Sequence, residues 1–463
     1  MRERTEAKAI ADGARADVSP GKDSVRIAPG ATVAVEGENP HKRPPRPPLK
    51  QAFRALHNVN YRLFWSGQII SMIGTWMQRI AQAWLVLNLT HSPVALGIVT
   101  ACQTVPVLAF VLFGGVIADR VPKRRLLVIT QCVMLVQAAI LAVLVAGGWI
   151  SLIQLYILAA VLGTATALDN PTRQAFVKEL VGPTDVPNAV ALNSLVFNTA
   201  RLVGPALAGL TIAAIGVAGC FTVNALSFIA VIAGLLLMRP ERFYDIPNAP
   251  RGKVLEQIAE GLRYAVHTPD IALVMILMGV IGTFGYNFTV LLPLIATYVL
   301  HTGSIGFGAL TSAMAVGSLG AALGIAYNGQ VTQRTLLIGA TGFSALLLVL
   351  ALSTHWVTTI AILIALGTFS IVFTATANSR LQMVTPPQLR GRVMSLYTML
   401  FLGSTPIGSL VLGFLAEHQG VQVAVGEVAI LCSIGIVAGL LYIRHQHTGA
   451  GTPKPETGTP FAG

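Results

Sequence analysis

Charge is what this 463-residue sequence has least of. Asp, Glu, Lys and Arg together make up 11% of it, where soluble domains carry about a quarter. With 54% hydrophobic residues and a mean hydropathy of +0.70, the chain is read as a membrane protein. Acidic groups are scarcer still, 19 against 31 Lys and Arg, for a net charge of +12. In a soluble protein that imbalance would point to nucleic acid. Here the basic residues fall in connections between apolar segments, so nucleic acid is excluded as a partner. The four cysteines, Cys102, Cys132, Cys220 and Cys432, all lie inside apolar stretches without metal-ligand spacing and are read as small core residues. H-E-x-x-H and G-x-S-x-G motifs are missing, and His57, His91, His267 and His301 fall in connections. No enzyme, metal or cofactor is therefore expected. A secretory leader is also lacking, because the first apolar stretch begins only after Tyr61.

What the sequence has in abundance is apolar runs near the roughly 20 residues that cross a bilayer. They fall near 62–88, 94–117, 125–147, 151–171, 189–214, 218–239, 270–297, 305–327, 335–353, 357–379, 392–415 and 424–443. Only helices satisfy every backbone group within such segments, which gives an all-α integral membrane fold with about twelve transmembrane helices. Lys and Arg set the orientation. Arg120 to Arg125, Arg173, Lys178, Arg239 to Arg263, Arg334, Arg380 to Arg392, Arg444 and Lys454 fall on one side; the alternate connections, near 89–93, 148–150, 215–217, 298–304, 354–356 and 416–423, contain none. By the positive-inside rule the basic side is cytosolic, and both termini with it.

The chain thus divides into a polar, Pro-rich cytosolic tail (1–58), six helices (59–240), a cytosolic linker (241–269), six helices (270–445) and a second tail (446–463). The first tail lacks any apolar period and is read as disordered, its basic end near anionic headgroups; a polyproline ligand is the alternative. The linker holds an amphipathic stretch, Val254, Leu255, Ile258, Leu262 and Val266 against Glu256, Glu260 and Arg263, suited to the membrane interface. Equal halves imply duplication. GVIADRVPKRRLLVI (115–129) aligns with GIAYNGQVTQRTLLI (324–338): the Gly, the turn and Arg125/Arg334 recur, while Asp119 becomes Asn328.

A six-plus-six chain whose second and third segments are joined by Gly115, Asp119, Arg120, Lys123 and Arg124 resembles the major facilitator superfamily of secondary transporters, with Pro122 where the motif usually has Gly. YRLFWSGQIISMIGTWMQ (61–78), ALDNPTRQAFVKELV (167–181), NTARLVGPALAG (198–209) and LRGRVMSLYTMLFLGSTPIGSLVLG (389–413) are similar to its enterobactin-exporter-like efflux branch. Gly204 to Gly209 is similar to the helix-5 signature of proton-linked exporters, with Ala208 for one glycine, while the helix-4 Arg of the superfamily has no counterpart in 151–171. The resemblance implies an exporter working by alternating access, with protons as coupling ion and a monomer in the bilayer. It also implies that Asp119 meets the start of segment 11, near Gly391 and Arg392, when the cytosolic side is shut.

Ionisable residues at membrane depth mark function, because burying them costs at least a few kcal/mol. Arg79 follows Gln78, with Gln82 one turn on from Gln78; Arg201 lies in segment 5, with Asn198 on its face. Two cations among amides favour an anionic or strongly hydrogen-bonding solute; the bland alternative has both arginines bonded to helix carbonyls or to Asp169. Tyr286 and Asn287 in segment 7 face either a cavity or a neighbouring helix. Asp169 is the candidate proton carrier, or else caps the end of segment 4 in a DNP turn (169–171). Gly204-Pro205 and Pro406 occupy related places in the halves and are read as bends at the half–half contact. The substrate is accordingly expected to be siderophore-like or drug-like. A lysophospholipid flippase and a non-transporting sensor are the alternatives.

Overall fold

The computed structural model describes residues 53–245, 254–328 and 331–449. The tails before 53 and after 449 and the linker portion 246–253 lie outside the described residues, as do the side chains of 111–120, which include Asp119 and Arg120. Residues 53–58, which the sequence assigned to the tail, are built into the fold. They form a single 3-10 turn, Arg54–His57, in which the Ala55 N–H donates to Asn188 Oδ1 (2.9 Å) and Arg54 pairs with Asp185 (2.9 Å). The Asn58 side chain donates to the Leu180 carbonyl and its Oδ1 accepts from the N–H groups of Asn60 and Tyr61, capping the first long helix.

The described chain is helical throughout, with short connections. In order it forms α1 (Val59–Thr90), α2 (Pro93–Arg120), α3 (Lys123–Ala146) and α4 (Leu152–Val181). Val186–Leu237 follows as one element broken at Gly216, whose φ of 77° is open to glycine. Its limbs are α5 (186–215) and α6 (217–237). The amphipathic α7 (Val254–His267) precedes α8 (Pro269–Val299), α9 (Ser304–Asn328), α10 (Gln333–Ala351), α11 (Trp356–Val384), α12 (Pro387–Gln419) and α13 (Val421–Gly449). Ten described elements are long and apolar enough to cross a membrane. The doubling at Gly216 and the 32-residue α1, whose Gln and Asn residues lower its hydropathy, bring the crossings to twelve.

Two expectations about helix ends change. The segment expected to stop at a DNP turn does not stop: α4 carries Asp169, Asn170 and Pro171 inside a 30-residue helix that ends at Gly182. Asp169 therefore caps nothing. The charged hairpin is also tighter than read, since only Val121 and Pro122 separate α2 from α3.

Helix α1 lies along α5 and α6, α2 along α4, and α3 along α4 and α6; α9 lies along α11, and α10 along α11 and α13. The large outward side chains, such as Ile157, Leu226, Ile434 and Leu441, are apolar, as a lipid-facing surface requires. The halves meet along two seams, α2 with α12 and α5 with α9, and the seams repeat each other residue by residue. A Cβ on Gly308 would lie 2.4 Å from the Pro205 carbonyl oxygen, and one on Gly97 would lie 2.6 Å from that of Ser409. Gly209 abuts the Ser304 carbonyl as Gly413 abuts that of Pro93, each at 2.7 Å. The two non-glycine residues with positive φ among the described residues, His91 (51°) and His301 (48°), stand at the matching turns.

Candidate functional site

The polar residues at membrane depth separate into an interior set and a set at the junction of the halves. Gln78 belongs to the first. It is 1% exposed, donates to Gln137 Oε1 (3.0 Å) and accepts from Asn224 Nδ2 (2.6 Å), while Gln137 donates on to the Leu158 carbonyl and Ser227 to Asn224. This chain of amides ties α1, α3, α4 and α6 together inside the first six helices. Gly74 gives it room, since a Cβ there would stand 2.6 Å from Asn224 Oδ1 and from Ser227 Oγ. Gln82, also buried, accepts from Gln103 Nε2 of α2 (2.9 Å). The helical spacing that put Gln78 and Gln82 on one face is correct, but that face turns into the bundle.

Arg79 turns the other way. It is exposed, and its guanidinium sits 4.9 Å from the Trp76 ring centre, within range of a cation–π contact. Trp76 packs edge-on to Phe197 (5.9 Å) and against Gly204, where a Cβ would approach the Trp76 Cβ to 2.5 Å. Phe197, Arg201 and Gly204 share one face of α5. Arg201 is half-buried and interacts electrostatically with Tyr286 of α8, in the other half. Asn198 donates to the Ser194 carbonyl of its own helix (2.8 Å). Among the described residues no carboxylate pairs with Arg79 or Arg201, and Asp169 is the only buried carboxylate.

Tyr286 stands at a break in α8. The helix is π-wound over Ile281–Gly285, departs from helical geometry at Tyr286 and Asn287, resumes over Phe288–Leu294 and is π-wound again over Ile295–Val299. Such π turns recur at functional positions. The Tyr286 hydroxyl donates to the Ser370 carbonyl of α11 (2.8 Å); its ring stacks on Phe343 (5.0 Å, 12°) and meets Phe401 edge-on (5.4 Å). Asn287 is buried, with its Nδ2 bonded to the carbonyls of Thr283 and Phe284. It packs against Gly408, where a Cβ would lie 1.6 Å from the Thr283 oxygen. Gly408 thus lies where α12 crosses α8, as Gly204 lies where α5 crosses α1, while the Pro205 carbonyl faces Gly308 of α9 across the halves. Thr368 and Thr374 of α11 bond to carbonyls of their own helix.

The residues named for coupling and gating lie nearer the basic end. Asp169, 2% exposed, accepts at Oδ1 from Thr130 (2.9 Å) and Gln131 (2.8 Å) and at Oδ2 from the Arg173 guanidinium. All of these lie within the first six helices. Lys123 pairs with Glu179 at the end of α4 (2.6 Å), and Arg124 donates to the carbonyls of Leu235 and Leu236 at the end of α6. There the cation also meets the negative end of the helix dipole. Gly115, Asp119 and Arg120 end α2, but what their side chains contact lies outside the described residues.

Sequence reasoning missed Trp76, Phe343 and Phe401, which supply the aromatic walls around Arg79 and Tyr286. The repeat offset linking His91 to His301 would have paired Trp76 with Tyr286. Among the described residues, hydrogen bonds between the halves run from mid-depth, where Ser312 donates to the Leu202 carbonyl, to the end opposite the basic one. At that end Ser92 and Val94 donate to Glu417, Tyr298 to His91 and Ser304 to Gly209. Among the described residues none joins the halves at the basic end. Among the described residues, Arg79 beside Trp76 and Arg201 beside Tyr286 are thus cations without a carboxylate partner.

Residues 50–453 match the family described as transmembrane secretion effector. The staphyloferrin A transporter of Staphylococcus aureus is 31% identical over 78% of this chain and 90% of its own length. The enterobactin exporter of Escherichia coli is 23% identical over 84% and 92%. A bacterial homologue of the human lysosomal transporter Spinster, solved in an inward-facing conformation, shares the fold, with a TM-score of 0.65 and 13% identity over 85% of this chain and 99% of its own. The chain is a multi-pass membrane transporter, not an enzyme, and belongs to the transmembrane secretion effector family of the major facilitator superfamily.

Proposed function

We propose that this transporter exports an anionic, amphipathic small molecule of siderophore-like or drug-like character, driven by the proton gradient through alternating access. The observation that carries the reading is the pair Arg79 and Arg201. Neither has a carboxylate partner among the described residues; Arg79 lies against the Trp76 ring, and Arg201 interacts with Tyr286 of the other half. A guanidinium left without a protein anion at membrane depth is stabilised by an anionic ligand, and Trp76, Phe197, Tyr286 and Phe401 offer aromatic surface to the apolar part of such a molecule. The reading places the basic end and both termini in the cytosol, following the Lys and Arg distribution, in the cytoplasmic membrane and as a monomer. Asp169, the buried carboxylate, is the group assigned to proton coupling.

The test is uptake into inside-out proteoliposomes with an imposed pH gradient, using metal-free staphyloferrin A and enterobactin as probes. Accumulation that collapses on adding an uncoupler supports the proposal. Accumulation indifferent to the uncoupler removes proton coupling, and movement of neither probe removes the siderophore-like substrate class.

A further inference from the structure

Glu417 lies three residues before the left-handed Gly420 that ends α12. Its Oε2 accepts from the Ser92 hydroxyl (2.5 Å) and from the Val94 backbone N–H (2.9 Å). Both donors belong to the start of α2, in the other half of the molecule. The first N–H groups of a helix have no partner within it, and they carry the positive end of the helix dipole. A carboxylate from α12 therefore supplies the cap of α2. Ser92 transmits the contact, because its Oγ also accepts from the Ala95 N–H (3.1 Å). Beside it the Tyr298 hydroxyl of α8 donates to the His91 carbonyl (2.6 Å), which the left-handed backbone of His91 turns outward.

The other seam has no equivalent. There the start of α9 meets α5 through close packing and one neutral bond, from the Ser304 hydroxyl to the Gly209 carbonyl (3.2 Å). Matching Gly413 to Gly209 puts Ala213 where Glu417 would be. The repeat is thus broken in favour of charge on the α2–α12 seam alone. A lone exposed ion pair is worth little, but one carboxylate oxygen receiving two donors at a helix N-terminus is a charge-assisted cap.

We propose that Glu417 is a latch: it holds the end opposite the basic one shut by capping α2 across the halves, and it must let go in each cycle for that end to open. The inference rests on the alternating-access reading above. Asp119 ends α2 as Glu417 ends α12, so each helix of this seam carries one terminal carboxylate, at opposite ends of the molecule.

The test measures distances between paired spin labels in a background with Cys102, Cys132, Cys220 and Cys432 changed to Ala. Trp149→Cys with Leu352→Cys reports the latched end and Leu237→Cys with Met383→Cys the basic end; all four positions are well exposed. Glu417→Ala should lower the ratio of short to long distances at the latched end by about tenfold, the effect of losing one charge-assisted hydrogen bond, and shorten the basic-end distances. Glu417→Gln, which keeps an acceptor but not the charge, should fall between Glu417→Ala and the parent, and Ser92→Ala should move the same way. Unchanged latched-end distributions in Glu417→Gln and Ser92→Ala overturn the latch. These distances are read without any substrate, so a parent protein that moves neither siderophore leaves them interpretable and counts against the transport reading alone.

Discussion

Gly97 lies directly against the carbonyl oxygen of Ser409, so that a single methyl group added there would come within 2.6 Å of it. Gly308 repeats the relationship with Pro205 in the other seam, at 2.4 Å. Overpacking a contact of this kind costs about 1–3 kcal/mol, and the cost falls only on the arrangement in which the seam is closed. Gly97→Val and Gly308→Val should each open the latched end, seen as faster labelling of a cysteine at Leu352 by a membrane-impermeant maleimide. Gly320, with nothing near its missing side chain, supplies the control: Gly320→Val should leave the labelling rate unchanged.

Arg201 and Tyr286 approach each other from opposite halves. If the guanidinium binds an anionic solute, Arg201→Gln should cut transport efficiency by roughly ten- to a hundred-fold, equivalent to about 1.5–3 kcal/mol for a charged hydrogen bond. Arg201→Lys should recover part of it. Tyr286→Phe, which removes only the hydroxyl bond to Ser370, should cost less than tenfold. Initial-rate measurements over a range of probe concentration separate these outcomes; equal activity for Arg201→Gln and the parent would remove Arg201 from the site.

Gln78 belongs to the amide chain with Gln137 and Asn224. Gln78→Ala leaves two buried amides short of partners, a loss of about 1–3 kcal/mol. A lower thermal unfolding midpoint in detergent is expected, with the KM of the folded fraction unchanged. A rise in KM without loss of stability would return Gln78 to the substrate site.

Asp169 is held by Arg173, Thr130 and Gln131. Removing one member of a buried ion pair costs about 3–5 kcal/mol, so Arg173→Ala should destabilise strongly. Asp169→Asn is the more informative change. It should abolish the dependence of transport on the pH gradient while leaving downhill exchange of substrate intact, provided Asp169 carries the proton. Gradient-driven accumulation by Asp169→Asn at the parent rate would exclude it.

The membrane-spanning pattern was legible because the bilayer imposes a one-dimensional rule on segment length and charge placement, which hydropathy and the Lys and Arg count read directly. That rule also picked out Arg79 and Arg201. It reached α1, read as the run 62–88, in spite of the five Gln and Asn residues that lower its hydropathy, and it failed at Pro171, where a dipeptide that usually breaks a helix is carried through one. In the second case the surrounding bundle holds the backbone helical, and Asp169 is satisfied by side chains of α3 and Arg173 instead of by a turn.

The sequence by itself determined that the chain is a twofold-repeated helical membrane protein with few charges in its interior, since only such charge placement lets the helices cross lipid. Helical spacing could place Gln78 beside Gln82 but not say whether that face met lipid, neighbours or a cleft, because direction depends on which helices surround α1. Packing decided it. The tertiary structure alone turned Gln78 inward and Arg79 outward, brought Arg201 to Tyr286 across the halves, and set Glu417 on the start of α2, because these relations join residues up to 325 positions apart whose proximity no local pattern encodes.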